Sequence, residues 1–357
     1  MSLESLGVED FRCVEKAELA LHPRCNLISG ENASGKTTLL EAMFFLGRGR
    51  SFRSAQTDAL VRSGSTGFLL TGRIQVGGRS QPLGMRYGKN GIEARYCARP
   101  VAGLAELATV LPAQAIDPEV HRLVEGGPLE RRRYLDWGVF HVEPGFIGHW
   151  RRYQRALKQR NAALRAEQPE SLVRVWDTEL VESGEQVAAL RPAYAEKLAP
   201  HVARVGERLL GAPVEIILHR GWAADRSLAD SLANAWPRDR ARGVTHSGPH
   251  RADLAVRFEG CLARDRVSRG QQKLAASSLL LGQLRCDAEL GSEIAVLLVD
   301  DPAAELDESH LRGLLQEVGD VSAQLVLTAL DPANPALASL PSGHRFHVEH
   351  GRVTRLL

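Results

Sequence analysis

The chain has 357 residues, 44% of them hydrophobic and 25% charged, which is typical of a globular protein with two or three packed units. This composition excludes collagen-like, low-complexity and disordered chains. Lys and Arg number 45 against 43 Asp and Glu, and the resulting net charge of +2 does not by itself indicate a polyanionic partner. A charged N-terminal stretch and the lack of long apolar runs predict a cytoplasmic protein that does not cross a membrane.

Short strands separated by turn signals are predicted in the first hundred residues, at 26–29, 67–74, 83–87 and 92–97. The last two flank Lys89-Asn90-Gly91, which is typical of a hairpin turn. One helix is predicted in this part, at 36–46, because its apolar side chains form a broad face.

From about residue 118 to 211, Ala, Leu, Glu and Arg recur at helical spacing, which predicts a compact helical arm too short for a long coiled coil. Beyond it, strands are predicted at 214–219, 253–258, 295–299, 324–328 and 345–348, with a helix after Gly270. The predicted domains are therefore a discontinuous α/β head of 1–117 and 212–357, into which the arm of 118–211 is inserted.

The cysteines are odd in number and far apart, without a C-x-x-C pair, which disfavours a disulfide framework and a zinc site. We expect all of them to be buried, reduced and unreactive: Cys13, Cys25, Cys97, Cys261 and Cys286.

The strongest signal is Gly30-Glu31-Asn32-Ala33-Ser34-Gly35-Lys36-Thr37, which matches the G-x-x-x-x-G-K-[ST] phosphate-binding loop. The loop follows the strand at 26–29 and opens a helix, so backbone N–H groups and a helix N-terminus would surround phosphates. In this interpretation Lys36 reaches the β- and γ-phosphates, the Thr37 hydroxyl binds Mg²⁺, and Thr38 completes the nucleotide-binding segment. ATP and Mg²⁺ are therefore the predicted cofactors.

The apolar run at 295–299, which ends in Asp300-Asp301, predicts a buried central strand with two acids at its carboxyl end. Two acids there would be costly to bury without a cation. We expect Asp300 to hold Mg²⁺, directly or through water, and Asp301 to polarise the attacking water. Asp301 and Lys36 are thus the candidate catalytic residues.

Ser268-Arg269-Gly270-Gln271 places a serine and a glycine at the start of a predicted helix, where a hydroxyl and N–H groups can meet an anion. The segment resembles the signature motif of ABC-type ATPases, in which this helix end of one subunit caps the γ-phosphate held by the other. The resemblance implies that ATP joins two copies of the chain and that hydrolysis releases them.

Two segments further along the chain resemble the same superfamily. Ala304-Glu305-Leu306-Asp307 is similar to the D-loop, which implies that Asp307 lies near the dimer seam. Thr328 ends a predicted strand where such ATPases place a switch loop that usually carries a histidine, and a structural strand end is the preferred interpretation of this threonine.

Together, the motifs resemble the RecF family of bacterial recombination and repair ATPases over nearly the whole chain, in segments 30–38, 49–53, 127–136, 248–253, 268–273 and 300–307. The resemblance implies an α/β fold, namely an ABC/SMC-like P-loop ATPase head with an antiparallel β part and an inserted, mainly helical second domain. One departure is Ala252, where the family tends to have a second acid.

The same resemblance implies a function in DNA repair, replication, recombination and the SOS response. The chain would be a weak, DNA-dependent ATPase that dimerises on ATP and binds double-stranded DNA or gap junctions. Its implied partners are RecR, together with RecO and RecA, the recombinase that it would help to load on single-strand gaps.

Charge is segregated along the chain. Residues 48–100 hold ten bases against two acids, a net of +8, and residues 121–165 hold ten bases against four acids, a net of +6. These stretches predict phosphate-contacting surfaces with steep salt dependence and little base readout, and a solvated arginine-rich face is the alternative. The candidate DNA contacts are Arg50, Arg53, Arg73, Arg131, Arg132, Arg151 and Arg152.

The alternative function is the ATPase subunit of a transporter, or another ABC-type mechanical ATPase, which would share the phosphate loop and the signature helix. The inserted helical block, the basic stretches and an aspartate at 301 in place of the usual glutamate argue against it. A kinase or GTPase is disfavoured because the guanine-binding N-K-x-D motif is absent from the sequence. A structural DNA clamp without ATPase activity is opposed by the intact Lys36, Thr37 and Asp300.

Overall fold

A computed structural model describes residues 1–292, 295–303 and 306–356. The chain divides into two compact units, the first formed by Met1–Val120 and Gly291–Leu357 and the second by His121–Leu290. In the described part of the chain, no helix combines the length and the apolar character that crossing a bilayer would require.

The first unit begins with a β-rich segment. Its elements are β1 (Ser2–Phe11), β2 (Val14–Ala20), β3 (Cys25–Ser29), α1 (Lys36–Arg48), β4 (Phe68–Val76), β5 (Arg79–Gly88), β6 (Gly91–Tyr96), β7 (Arg99–Pro100), α2 (Leu104–Val110) and β8 (Ala113–Ile116). Six of the strands form an antiparallel sheet in the order β2-β1-β4-β5-β6-β7. The predicted hairpin is confirmed, because Gly88 pairs with Gly91 across Lys89 and Asn90.

One face of this sheet packs against α1 through aromatic side chains. The ring of Phe68 on β4 lies edge-on to Phe11 of β1 at 5.0 Å and to Phe45 of α1 at 5.4 Å, measured between ring centroids. Pairs in this geometry contribute about 0.5–1.5 kcal/mol each beyond the burial of their apolar area. The sheet therefore fixes the helix that follows the predicted phosphate loop.

The second unit is mainly helical. Its elements are α3 (Arg122–Glu125), α4 (Pro128–Val142), α5 (Phe146–Arg165), α6 (Glu170–Arg174), α7 (Asp177–Leu210), β9 (Val214–His219), α8 (Leu228–Arg242), β10 (Asp253–Phe258), β11 (Cys261–Leu262), α9 (Ala263–Arg266) and α10 (Arg269–Glu289). The longest helix, α7, has 34 residues, which corresponds to about 50 Å.

Buried ion pairs join the helices of this unit. Arg160 is fully buried on α5 and donates to Asp177 at 2.7 Å and to Asp239 at 2.8 Å. Arg191 on α7 binds both carboxylate oxygens of Asp136 on α4, at 2.8 and 3.0 Å. Removing one partner of such a pair leaves an uncompensated buried charge, which costs about 3–5 kcal/mol.

The grouping of residues 212–290 differs from the predicted domain boundaries, which placed them with the head. In the structure they belong to the same compact unit as the helices of 121–211. The physical reason is packing, because β9 and α10 both lie against the long helix α7.

The first unit continues with β12 (Val296–Val299), α11 (Glu308–Gly319), β13 (Gln324–Ala329), β14 (His344–Glu349) and β15 (Arg352–Leu356). A second sheet has the order β15-β14-β3-β13-β12-β8, and all its neighbouring pairs except β14–β15 are parallel. Every residue of β3, β12 and β13 is buried, as expected for central strands covered on both faces. The strand order places the carboxyl ends of β3, β13 and β12 side by side.

The cysteines are all free, and their exposure differs from the prediction. Cys25 and Cys286 are buried and Cys261 is half-buried, but Cys13 and Cys97 are exposed. The prediction of burial is wrong for these last two because each lies in a tight turn between antiparallel strands.

Candidate functional site

The predicted phosphate loop lies between β3 and α1 and has a tightly curved backbone. Gly30 and Gly35 have φ angles of +152° and +115°, and Ala33 has a φ of +61°. A Cβ atom on Gly30 would lie 2.2 Å from the carbonyl oxygen of Val348, so a larger residue does not fit there. Among the described residues no side chain caps the start of α1, which leaves its first-turn N–H groups to an anion.

Lys36 folds back over the loop. Its Nζ donates to the carbonyl oxygens of Gly30 at 2.8 Å and Glu31 at 2.7 Å. Burial lowers the pKa of Lys36, and the negative charges of Asp301 and Asp300 oppose this change. The ammonium group is thus held inside the curve of the loop, where phosphate oxygens can replace the two carbonyl acceptors.

Asp300 follows β12 and receives two hydroxyl hydrogen bonds. Thr37 Oγ1 donates to its Oδ1 at 2.9 Å, and Thr328 Oγ1 donates to the same oxygen at 2.8 Å. Burial raises the pKa of Asp300, whereas the two hydroxyl groups act in the opposite direction. The three residues come from the ends of three neighbouring elements, so the sheet order creates the cluster.

Asp301 is half-buried and has a φ of +43°, a left-handed conformation that is uncommon for a residue with a side chain. Its backbone N–H donates to Thr328 Oγ1 at 2.8 Å. Thr328 therefore contacts both acids, which sequence analysis did not foresee because the interaction depends on β13 lying between β3 and β12.

The donor set at this edge of the sheet fits Mg²⁺. The Thr37 hydroxyl and the Asp300 carboxylate lie 2.9 Å apart, and both are hard oxygen ligands. Mg²⁺ typically keeps several waters and is bound through one or two carboxylates plus phosphate oxygens. Such a cation would favour the ionised form of Asp300 against the effect of burial.

Glu41 is a second buried acid next to the loop, and sequence analysis missed it. It is fully buried on α1 and accepts from Arg12 Nε at 2.9 Å and Arg12 Nη2 at 2.8 Å, as well as from the Ser51 hydroxyl. Arg53 Nη1 lies 3.8 Å from Glu41, and its charge opposes the effect of burial, which raises the pKa of Asp300. The available signal was a single acid within the apolar face of the predicted helix.

The signature-like segment lies in the second unit at the start of α10. Ser268 is the exposed N-cap residue, and its Oγ accepts from the N–H of Gln271 at 3.3 Å. The side chain of Gln271 accepts in return from the N–H of Ser268 at 2.9 Å. This is a complete capping box, and Arg269 and Gly270 form the first turn between the two residues. The predicted helix start is confirmed, while the role toward a γ-phosphate stays a prediction.

Asp307 caps the start of α11. It accepts from the N–H of His310 at 2.9 Å and lies 2.6 Å from the His310 ring nitrogen Nδ1. These hydrogen bonds hold the pKa of Asp307 well below its usual range. Ala304 and Glu305 of the D-loop-like segment lie outside the described residues, and the position of Asp307 at a dimer seam stays a prediction.

Arg131 corrects one of the predicted DNA contacts. It is only 3% exposed and binds both carboxylate oxygens of Asp253, at 2.8 and 3.0 Å. It also donates to the carbonyl oxygens of Val124 and Gly126. All of these partners lie within the second unit, so Arg131 is part of its interior and presents no surface to a phosphate.

The other predicted DNA contacts have different surroundings. Arg132 is half-buried and donates to the carbonyl oxygen of Ala252 at 2.7 Å. Arg152 is exposed but binds both carboxylate oxygens of Glu179, at 2.6 and 2.9 Å. Four further candidates are exposed to solvent: Arg50, Arg53, Arg73 and Arg151. DNA contact by any of these residues stays a prediction.

Comparison with known proteins identifies the family. Residues 2–346 match the family model described as the RecF/RecN/SMC N terminal domain. A protein of Shewanella baltica named DNA replication and repair protein RecF is 40% identical over 358 residues, which span 99% of this chain and 99% of the relative. The protein of the same name from Shewanella pealeana is 39% identical over 357 residues, with the same coverage.

Solved structures agree with this assignment. A structure of the recombination mediator protein RecF with ATP in the RecFOR pathway superposes with a TM-score of 0.89 at 26% identity, covering 100% of this chain and 98% of that one. A second RecF structure, described as RecF-ATPrS, gives a TM-score of 0.87 at 26% identity, over 99% and 98% of the two chains. An SMC head bound to a domain of ScpA is similar in fold alone, with a TM-score of 0.62 at 14% identity over 100% and 98%.

Proposed function

The chain belongs to the RecF family of DNA replication and repair proteins, whose members are SMC-like ATPases, and we propose that it is an ATP-dependent DNA-binding switch. ATP would drive two copies together on double-stranded DNA or at gap junctions, and slow, DNA-dependent hydrolysis would separate them. RecR would be the direct partner, and RecO and RecA would act in the same process of loading the recombinase on single-strand gaps. We expect the chain to act in the cytoplasm.

The observation that carries the proposal is the hydrogen-bonded cluster of Thr37, Asp300 and Thr328. It joins the start of α1 to the carboxyl ends of β12 and β13, immediately beside the phosphate loop. Ligands of open parallel sheets bind outside the carboxyl ends of the strands, which is where this cluster lies. The solved RecF structure described with ATP supports the same nucleotide for this chain.

The chain's own residues divide the chemistry among them. When bound, ATP would supply the phosphoanhydride bond that is broken, and Mg²⁺ would neutralise part of the charge on the phosphates. The N–H groups of residues 30–38 surround the phosphates, and Lys36 exchanges its carbonyl acceptors for phosphate oxygens. Thr37 and Asp300 would hold the cation, and Asp301 would orient a water and accept its proton. The bond from its N–H to Thr328 fixes Asp301 for that task.

Dimerisation is proposed to use Ser268 to Gln271 of one copy against the γ-phosphate held by the other. The exposed N-terminus of α10 offers a hydroxyl, N–H groups and the positive end of a helix dipole, which suit an anion. Asp307 at the start of α11 would lie at the seam between the copies. The composite site makes the dimer depend on ATP, because neither copy completes the site by itself.

The test is the mass of the protein in solution with ATP and a gapped DNA duplex. We expect the wild type to double its mass, while Lys36→Met stays monomeric because it does not hold the nucleotide. Ser268→Arg should bind ATP and stay monomeric. Ser227→Arg is the matched control, since Ser227 caps α8 in the same way and accepts from the N–H of Asp230 at 3.0 Å. Asp301→Asn should form a dimer that persists.

Two results would contradict the proposal in different places. If Ser268→Arg forms an ATP-dependent dimer as readily as Ser227→Arg, the composite site is wrong. If Asp301→Asn hydrolyses ATP at the wild-type rate, a residue other than Asp301 positions the water.

A further inference from the structure

Helix α5 carries a strong excess of positive charge. Its 20 residues, Phe146–Arg165, contain no Asp or Glu. Six are Lys or Arg: Arg151, Arg152, Arg155, Lys158, Arg160 and Arg165. Some of these bases form ion pairs within the fold, and others face solvent.

Two of the six are engaged by acids of the same unit. Arg160 is buried between Asp177 and Asp239, as described above. Arg152 binds Glu179 and lies 3.6 Å from Glu182, both on α7. These two arginines therefore stabilise the second unit.

The remaining four are exposed and lie on one side of the helix. Arg151, Arg155, Lys158 and Arg165 follow one another at spacings of four, three and seven residues, which places them within a sector of about 80°. Within the described residues none of the four forms an ion pair or a side-chain hydrogen bond, although the charge of Arg155 does reach Glu179. We call these four residues, with the exposed Ala162 between them, the α5 stripe.

The chemistry of the α5 stripe suits a polyanion. The apolar side chains of α5, among them Tyr153, Leu157 and Leu164, are buried on the opposite side. The stripe thus has no apolar anchor, and such anchors usually dominate protein interfaces. Its charges extend over about 21 Å along the helix axis, with no acid of α5 between them. Regularly spaced basic residues of this kind neutralise phosphates.

We propose that the α5 stripe is the surface through which the second unit contacts the phosphate backbone of double-stranded DNA. This inference rests on the proposed function, which requires DNA binding, and it assigns that binding to particular residues. It adds Arg155, Lys158 and Arg165 to the predicted contacts. It also removes Arg152, whose charge is engaged by acids. Phosphate contacts of this type position a protein without reading sequence.

The first experiment measures the salt dependence of binding to a fluorescent duplex of about 20 base pairs with ATP present, a length close to two helical turns. Log Kd against log salt concentration has a slope that falls by about 0.9 for each phosphate contact removed. The fourfold variant Arg151→Gln, Arg155→Gln, Lys158→Gln and Arg165→Gln should therefore lose about 3 to 4 units of slope. Arg226→Gln, an exposed arginine of the same unit outside α5, should keep the wild-type slope.

A second pair of variants leaves every existing side-chain contact in place. Ala162→Glu inserts a negative charge in the middle of the α5 stripe, and Ala162→Gln adds a neutral side chain of the same shape. Both are good helix formers, so the fold should tolerate them equally. The glutamate variant should bind DNA more weakly than the glutamine variant, and the difference should shrink at high salt. Both should bind a fluorescent ATP analogue as the wild type does.

The proposal is overturned if the fourfold variant keeps the wild-type slope, or if the two Ala162 variants bind the duplex equally well. An acidic protein would then be the remaining occupant of the α5 stripe. Failure of the proposed function has a different signature, because the wild-type protein itself would then bind no duplex in the presence of ATP.

Discussion

Replacing Thr328 with valine would remove one hydroxyl from the proposed site while keeping the shape of the side chain. Thr328 is fully buried, so water cannot replace the lost group. Its Oγ1 donates to Asp300 at 2.8 Å and accepts from the N–H of Asp301 at 2.8 Å. The variant thus deprives a buried carboxylate of a donor and a backbone N–H of its acceptor.

The expected loss of stability follows from these two bonds. Leaving a buried polar group without its partner costs about 1–3 kcal/mol, so the two losses together should lower the free energy of unfolding by about 2–6 kcal/mol. In a unit of this size each kcal/mol corresponds to about 2–4 °C in melting temperature. The pKa of Asp300, which burial already raises, should rise further because the Thr328 hydroxyl stabilises its ionised form.

The assay compares Thr328→Val with Thr328→Ser in thermal unfolding and in ATP hydrolysis. Serine keeps the hydroxyl and loses one methyl group, which costs about 1 kcal/mol. The valine variant should melt below the serine variant and hydrolyse ATP at least tenfold more slowly, because Asp301 loses the bond that fixes its backbone. Equal melting temperatures and equal rates for the two variants would refute the reasoning.

Three further predictions concern other parts of the chain. Burial raises the pKa of Asp287 to about 7, so the folded form binds more protons than the unfolded form between about pH 4 and 7 and loses stability as pH rises through this window. Asp287→Asn should lack this loss, which melting curves at pH 5 and 8 would show. Arg131→Gln should lower the free energy of unfolding by about 3–5 kcal/mol, whereas the exposed Arg151→Gln should leave it within about 0.5 kcal/mol. Gly30→Ala should abolish binding of a fluorescent ATP analogue, whereas Gly64→Ala, at a positive φ but in open space, should bind it normally.

Each of these predictions has a contrary result. If the difference in stability between the wild type and Asp287→Asn is the same at pH 5 and at pH 8, Asp287 does not titrate in this range. Normal stability of Arg131→Gln combined with weak DNA binding would restore Arg131 as a surface contact. Normal nucleotide binding by Gly30→Ala would mean that the loop tolerates the approach of a Cβ atom to Val348.

The parts of the site that are local in sequence were predictable. The phosphate loop is a continuous motif, and the two acids end an apolar run that is typical of a buried strand. The hairpin at Lys89-Asn90 was equally predictable, since its turn residues adjoin both strands. In each case the signal lies in residues that are neighbours along the chain.

The parts of the site and of the fold that depend on contacts between distant residues were not predictable from the sequence. The resemblance to ABC-type ATPases indicated Thr328 as a switch-loop position. Its hydrogen bonds to both acids were not foreseen, because they depend on β13 lying between β3 and β12, and strand order is not visible in local patterns. In the sequence, Arg131 cannot be distinguished from the neighbouring surface arginines. Its partner Asp253 lies 122 residues further along the chain. The assignment of 212–290 to the second unit has the same origin, because it depends on packing against α7.

The most direct test of the account is the affinity for ATP with and without Mg²⁺, measured for the wild type, Asp300→Asn and Asp301→Asn. The wild type should bind ATP more tightly with Mg²⁺, and Asp301→Asn should show the same gain without hydrolysing the nucleotide. Asp300→Asn should lose the gain, because its amide cannot replace the carboxylate beside Thr37. If Mg²⁺ strengthens ATP binding to Asp300→Asn as much as to the wild type, the carboxyl end of β12 is not the metal site and the account is wrong.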